Sequence, residues 1–150
     1  MIQRIQSIYL LIVAVLMVVC LCNPLGSLIN VNNEISEFTN LYIVTADGMK
    51  DYTPWALFVL LFIVAIIAFV TIFLFKKRML QIRLTIFGSI LLLGYYVTLL
   101  VFATTVLSED VSYTPSWLVC LPFVAIVLNW LAIRSIGADE ALVKAYDRLR

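Results

Sequence analysis

Three thiols, Cys20, Cys22 and Cys120, are the side chains of this chain best suited to covalent chemistry, in the form of disulfide exchange. Cys20 and Cys22 form a Cys-x-Cys pair, and Cys120 lies far along the sequence. The chain contains no histidine. That removes the usual general base, the Ser–His and Cys–His nucleophile pairs, and imidazole metal ligands. No glycine-rich phosphate loop is present. No residue is therefore assigned a catalytic, metal-binding or cofactor-binding role, no cofactor is expected, and the chain reads as a non-enzyme. The thiols also have a plainer reading, because free cysteine is common as a small apolar residue in packed helices.

Charged residues supply two further candidate sites. Lys76, Lys77, Arg78 and Arg83 fall within eight positions of one another, a density suited to anionic lipid headgroups. Arg4 near the start, and Asp139, Glu140, Asp147, Arg148 and Arg150 near the end, would form a cytoplasmic interaction patch if both ends lie on one face. Arg4 paired with Asp139 or Glu140 would clasp the first and last spans. The plainer reading is solvated helix ends with charges matched to the helix dipole.

Long apolar runs must position all of these residues. Ser7 to Asn23, Pro54 to Phe75, Leu84 to Leu107 and Ser116 to Ile133 each lack Asp, Glu, Lys and Arg. About 18 apolar residues at ~1.5 Å rise per residue cross a hydrocarbon core of ~30 Å. The composition agrees, with 64% apolar and 13% charged residues. The expected fold is all-α: one antiparallel four-transmembrane-helix bundle over residues 1–150, ending in a short cytoplasmic amphipathic helix at about 138–149. With both termini cytoplasmic, Lys50 is the only outside base among ten Lys and Arg residues. The expected location is therefore a membrane crossed four times, with its inner face on the cytoplasm. Net charge is +1, and topology explains the bases, so no nucleic-acid surface is expected. Val18-Val19-Cys20 offers no small-x-small cleavage site, so the first run is read as a retained span.

Between the first two spans, Leu28 to Asn32 and Leu41 to Thr45 are rich in β-branched and aromatic residues around a turn-like Asn32-Asn33-Glu34. They predict a small β-hairpin or pair of edge strands outside the membrane. Thr53-Pro54-Trp55 predicts a hydroxyl-capped start to the second span, and Thr114-Pro115-Ser116-Trp117 a similar start to the fourth. An eight-residue link, Lys76 to Arg83, makes the second and third spans neighbours. Inside the spans, Tyr95 and Tyr96 need hydrogen-bond partners or a cavity, Pro122 should bend the fourth helix, and Asn129 should bond across the bundle or sit near the inner interface beside Trp130.

Met1-Ile2-Gln3-Arg4-Ile5-Gln6-Ser7-Ile8-Tyr9-Leu10 before an apolar span, and Arg134-Ser135-Ile136-x-x-Asp139-Glu140-x-Leu142-Val143-Lys144-x-x-Asp147-Arg148-Leu149-Arg150 at the end, resemble a family of four-span membrane proteins of Bacteroidetes. That family is a domain of unknown function. The resemblance covers the whole chain and implies an inner-membrane protein without an assigned activity, so it transfers no residue role. The expected function is a small structural or accessory subunit acting through the lipid bilayer and a membrane-protein partner, or as a homo-oligomer. The alternatives are a thiol–disulfide oxidoreductase using Cys20, Cys22 and Cys120, or a small-molecule channel or carrier beside Tyr95, Tyr96 and Asn129. Bacterial quinone-coupled disulfide-forming enzymes are similarly small four-helix proteins, but they need two functional cysteine pairs.

Overall fold

The computed structural model describes residues 2–30, 34–44, 47–75, 77–106 and 111–148, with residues 2–4, 30, 106, 147 and 148 described by their backbone alone. Four helices long and apolar enough to cross a membrane are present among them. They are α1 (Ile2–Cys22), α2 (Trp55–Phe73), α3 (Arg78–Val106) and α4 (Leu121–Arg148). In a ring of contacts, α1 packs on α2 and α4, and α3 packs on the same two. Only 22–33% of each apolar span is buried inside the protein. The uncovered remainder includes Ile8, Leu11, Val15, Phe62, Phe69, Leu93, Leu100 and Val127. A surface this apolar is stable in lipid and not in water, so the protein is a multi-pass membrane protein.

The spans begin and end differently from the apolar runs. α3 starts at Arg78, six residues before the run at Leu84, because Arg78 to Arg83 are mostly good helix formers and Gln81 is buried. The link from α2 is correspondingly short. α4 continues without a break to Arg148, so the separate terminal helix expected at about 138–149 is the distal part of α4. Gly137 does not break it. A helical glycine costs only about 1 kcal/mol, and Ala138, Glu140, Ala141 and Leu142 around it favour the helix.

Neither hydroxyl cap forms. Pro54 takes the cap position of α2 without a side-chain bond, and the Thr53 hydroxyl instead donates to Asp51 Oδ1 at 2.6 Å. Ser116 precedes a 3-10 turn, Trp117–Cys120, also without a side-chain cap. Pro122 then falls in the first turn of α4, where a missing N–H is tolerated.

A five-stranded antiparallel sheet closes the end where α1 stops and α2 begins, in the order β4-β3-β2-β1-β5. The strands are β1 (Gly26–Asn30), β2 (Ile35–Phe38), β3 (Ile43–Val44), β4 (Lys50–Asp51) and β5 (Val111–Pro115). The expected hairpin is thus enlarged and re-registered. β1 pairs with β2, which lies outside both stretches expected as strands, and not with the segment containing β3. Its other edge takes β5 from the connection between α3 and α4, with Gly26 opposite Pro115 and Leu28 opposite Tyr113. Leu25, Leu28, Phe38 and Ile43 bury against the helical core with Met17, Leu57, Leu61, Leu92 and Leu99. Phe38 stacks on Phe102 of α3 at 5.3 Å and meets Tyr113 edge-on at 5.7 Å.

Candidate functional site

Two polar regions stand out, one at each end of the helices. At the sheet end, α1 finishes with carbonyls that lack helical partners. Asn23 Nδ2 donates to the Val19 carbonyl at 2.8 Å, and Asn40 Nδ2 donates to the Cys20 carbonyl at 2.7 Å. Asn40 Oδ1 accepts from the Tyr95 hydroxyl at 3.0 Å, so one carboxamide ties α1 to α3. Asn40, Cys20 and Tyr95 are all fully buried. Tyr95 thus finds its partner on the turn between β2 and β3, and not on a helix.

The neighbouring Tyr96 completes α4. Its hydroxyl donates to the Val119 carbonyl at 2.6 Å and accepts from the Phe123 N–H at 2.9 Å. Those two backbone groups are four residues apart, the spacing of an ordinary α-helical bond, so the phenol sits inserted in the helical ladder. Just before it, the Leu118 carbonyl, which would face the missing N–H of Pro122, accepts from the Leu121 N–H and from the Cys20 thiol, 4.0 Å away.

This geometry gives the three thiols separate surroundings. Cys20 is buried and directed at a backbone carbonyl, while Cys22 and Cys120 are exposed, and all three are free. Asn129, 3% exposed, lines a void of about 10 Å³ between Thr71 and Thr85. Both threonine hydroxyls donate back along their own helices, and among the described residues the Asn129 carboxamide makes no hydrogen bond. A void of that size holds at most about one water, so it is no conduit for a larger molecule.

At the opposite end, Arg78 at the start of α3 meets the distal part of α4. Arg78 Nη2 lies 3.3 Å from Asp139 Oδ2, and Nη1 donates to the Asp139 main-chain carbonyl at 3.3 Å. The carboxylate contact is Coulombic without hydrogen-bond alignment. Asp139 Oδ2 is shut off from solvent and makes no hydrogen bond. Glu140 pairs with Lys144 one turn on, at 3.4 Å. Both acids proposed as partners for Arg4 therefore have other bases beside them.

The side chains of Arg4, Asp147 and Arg148, and residues Lys76 and Arg150, lie outside what the structure describes. The first and fourth spans are nonetheless joined here, because buried Gln6 donates from Nε2 to the Ser135 carbonyl at 3.1 Å. Of the expected lipid-headgroup residues, Lys77, Arg78 and Arg83 share one open groove of about 690 Å³ with Glu140. Phe75, Met79, Leu80 and Val143 complete its lining.

Sequence reasoning missed Asn40 as a joint. Asn40 looks like any asparagine in a loop, and only its burial distinguishes it. Gln6 stands just before the first apolar run, in the polar start of the chain that is expected to meet the polar end.

Among the described residues, no three of His, Cys, Asp and Glu gather as metal ligands. A search of curated proteins finds no match. The family described as "Domain of unknown function (DUF4293)" matches residues 2–149. With nearly its whole length matched, including the paired polar ends and all four spans, the chain belongs to that family.

Proposed function

We propose that this protein is a non-enzymatic accessory subunit of the bacterial inner membrane, an antiparallel four-helix bundle that acts by docking a membrane-protein partner. The observation that carries this reading is the distal part of α4. Residues 141–146 are all exposed, and Leu142 and Tyr146, 52% and 76% exposed, lie one turn apart on one face. Large apolar side chains repeated at that spacing suit a helix face that a partner covers. Several buried polar groups are meanwhile engaged within the protein, as in the Asn40, Tyr95 and Tyr96 bonds, which supports a scaffold more than a reaction centre.

Both termini are assigned to the cytoplasm, since that orientation puts nine of ten bases on the inner side. Cysteines introduced at Ser27 and Ser135 in a thiol-free background test the orientation. Labelling of position 135 by an impermeant reagent in right-side-out vesicles refutes it.

Removing residues 141–150 should leave membrane insertion and helix content unchanged while abolishing co-purification of the partner from native membranes. A truncated protein that keeps every specific partner refutes the docking role.

A further inference from the structure

We infer that the groove at the α2–α3 turn is a specific binding site for an anionic glycerophospholipid. It lies where α2 ends at Phe73 and α3 begins at Arg78, so it straddles the boundary between apolar span and polar surface. Its charges are unevenly committed. Arg78 is held by Asp139, and Glu140 by Lys144. Lys77 and Arg83 are exposed, and among the described residues neither forms an ion pair. Two uncommitted cations lining one groove call for an anion.

The apolar part of the lining says which kind. Phe75, Met79, Leu80 and Val143 are each 41–51% exposed and line the same groove. A free inorganic anion gains nothing from four apolar side chains, whereas a lipid with a phosphate headgroup uses both kinds of lining residue. Its phosphate lies between Lys77 and Arg83, and its glycerol and upper acyl carbons lie on the apolar residues. This site stands independently of the partner-docking reading, which uses the Leu142 and Tyr146 face.

Native mass spectrometry of the full chain in detergent, with phosphatidylglycerol or phosphatidylcholine of identical acyl chains added, tests it. The expected result is a retained phosphatidylglycerol adduct, preferred over phosphatidylcholine by about tenfold. Lys77→Gln with Arg83→Gln should lower that preference to near unity, and Arg83→Lys should keep most of it. Arg134→Gln, at an exposed base outside the groove, should leave it unchanged. Tryptophan emission and elution volume matching the parent protein establish that each variant is folded.

Equal adducts for the two lipids overturn the site. So does a preference that survives the double substitution, or one that Arg134→Gln reduces equally. Displacement of the lipid by millimolar inorganic phosphate overturns the lipid assignment, since it shows that the phosphate alone suffices.

Discussion

Asn40 offers the sharpest test of how the sheet is held to the helices. Asn40→Ala removes two hydrogen bonds at once, leaving the Tyr95 hydroxyl and the Cys20 carbonyl, both in fully buried residues, without their partner. Each stranded group costs about 1–3 kcal/mol, so the variant should lose about 2–6 kcal/mol. Tyr95→Phe strands only Asn40 Oδ1 and should lose about 1–3 kcal/mol. In the double variant the phenol that Asn40→Ala stranded is gone. The combined loss should therefore fall short of the sum by about 1–2 kcal/mol. Reversible unfolding in mixed micelles, followed by tryptophan emission, measures all four corners of the cycle. Additivity within about 0.3 kcal/mol would show that the two side chains do not interact, and the proposed tie between α1 and α3 would fall with it.

Two other perturbations probe the sheet. A Cβ at Gly26 would press against the Thr114 carbonyl and lie 2.8 Å from Tyr113 Cε2, so Gly26→Ala should destabilise by at least about 2 kcal/mol and deprotect β5 amides in hydrogen exchange. Gly94→Ala, whose Cβ meets nothing within 4 Å, should be neutral or stabilising by about 0.5–1 kcal/mol in the same measurement. Burial pushes the Tyr113 phenol up to about 12 from 10, so the folded protein binds its proton more tightly than the unfolded chain. That contribution is complete below pH 10 and is lost as pH rises from there through about 12. The stability gap between the parent protein and Tyr113→Phe should therefore narrow over that range in pH-dependent unfolding curves, and a gap that widens would reverse the assignment.

The membrane-spanning part of the fold was legible because it depends on composition over long windows. Four runs without charge could be read directly, and Glu140 and Lys144, four residues apart on one helix, form the pair that this spacing favours. Boundaries were less legible. The charged start of α3 looked like a link, since the apolar signal stops at Leu84 while helix propensity does not. Gly137 falls between the last apolar run and the expected terminal helix, and a single glycine is too weak to end a helix alone. β5 was hidden for another reason: a strand that pairs across more than 80 positions leaves no local mark beyond the alternation in Val111 to Pro115. The joints formed by Asn40 and by Tyr96 depend on which groups become buried together, and sequence order carries little of that information.

The pairing of β1 with β5 also sets an order of events. Ser27 is made long before Thr114, the residue that donates to its carbonyl from 87 positions later. Until α3 has crossed, β1 has β2 on one side and a bare backbone edge on the other, at the membrane surface. Unpaired strand edges are sticky, so this interval is when a newborn chain is most open to wrong pairing or proteolytic capture. Arrival of β5 ends it by covering that edge, while the Ser116 N–H closes on the Leu25 carbonyl at 2.8 Å. The sheet thereby records completion: a chain stalled before its last span carries an open seam, and a finished one does not.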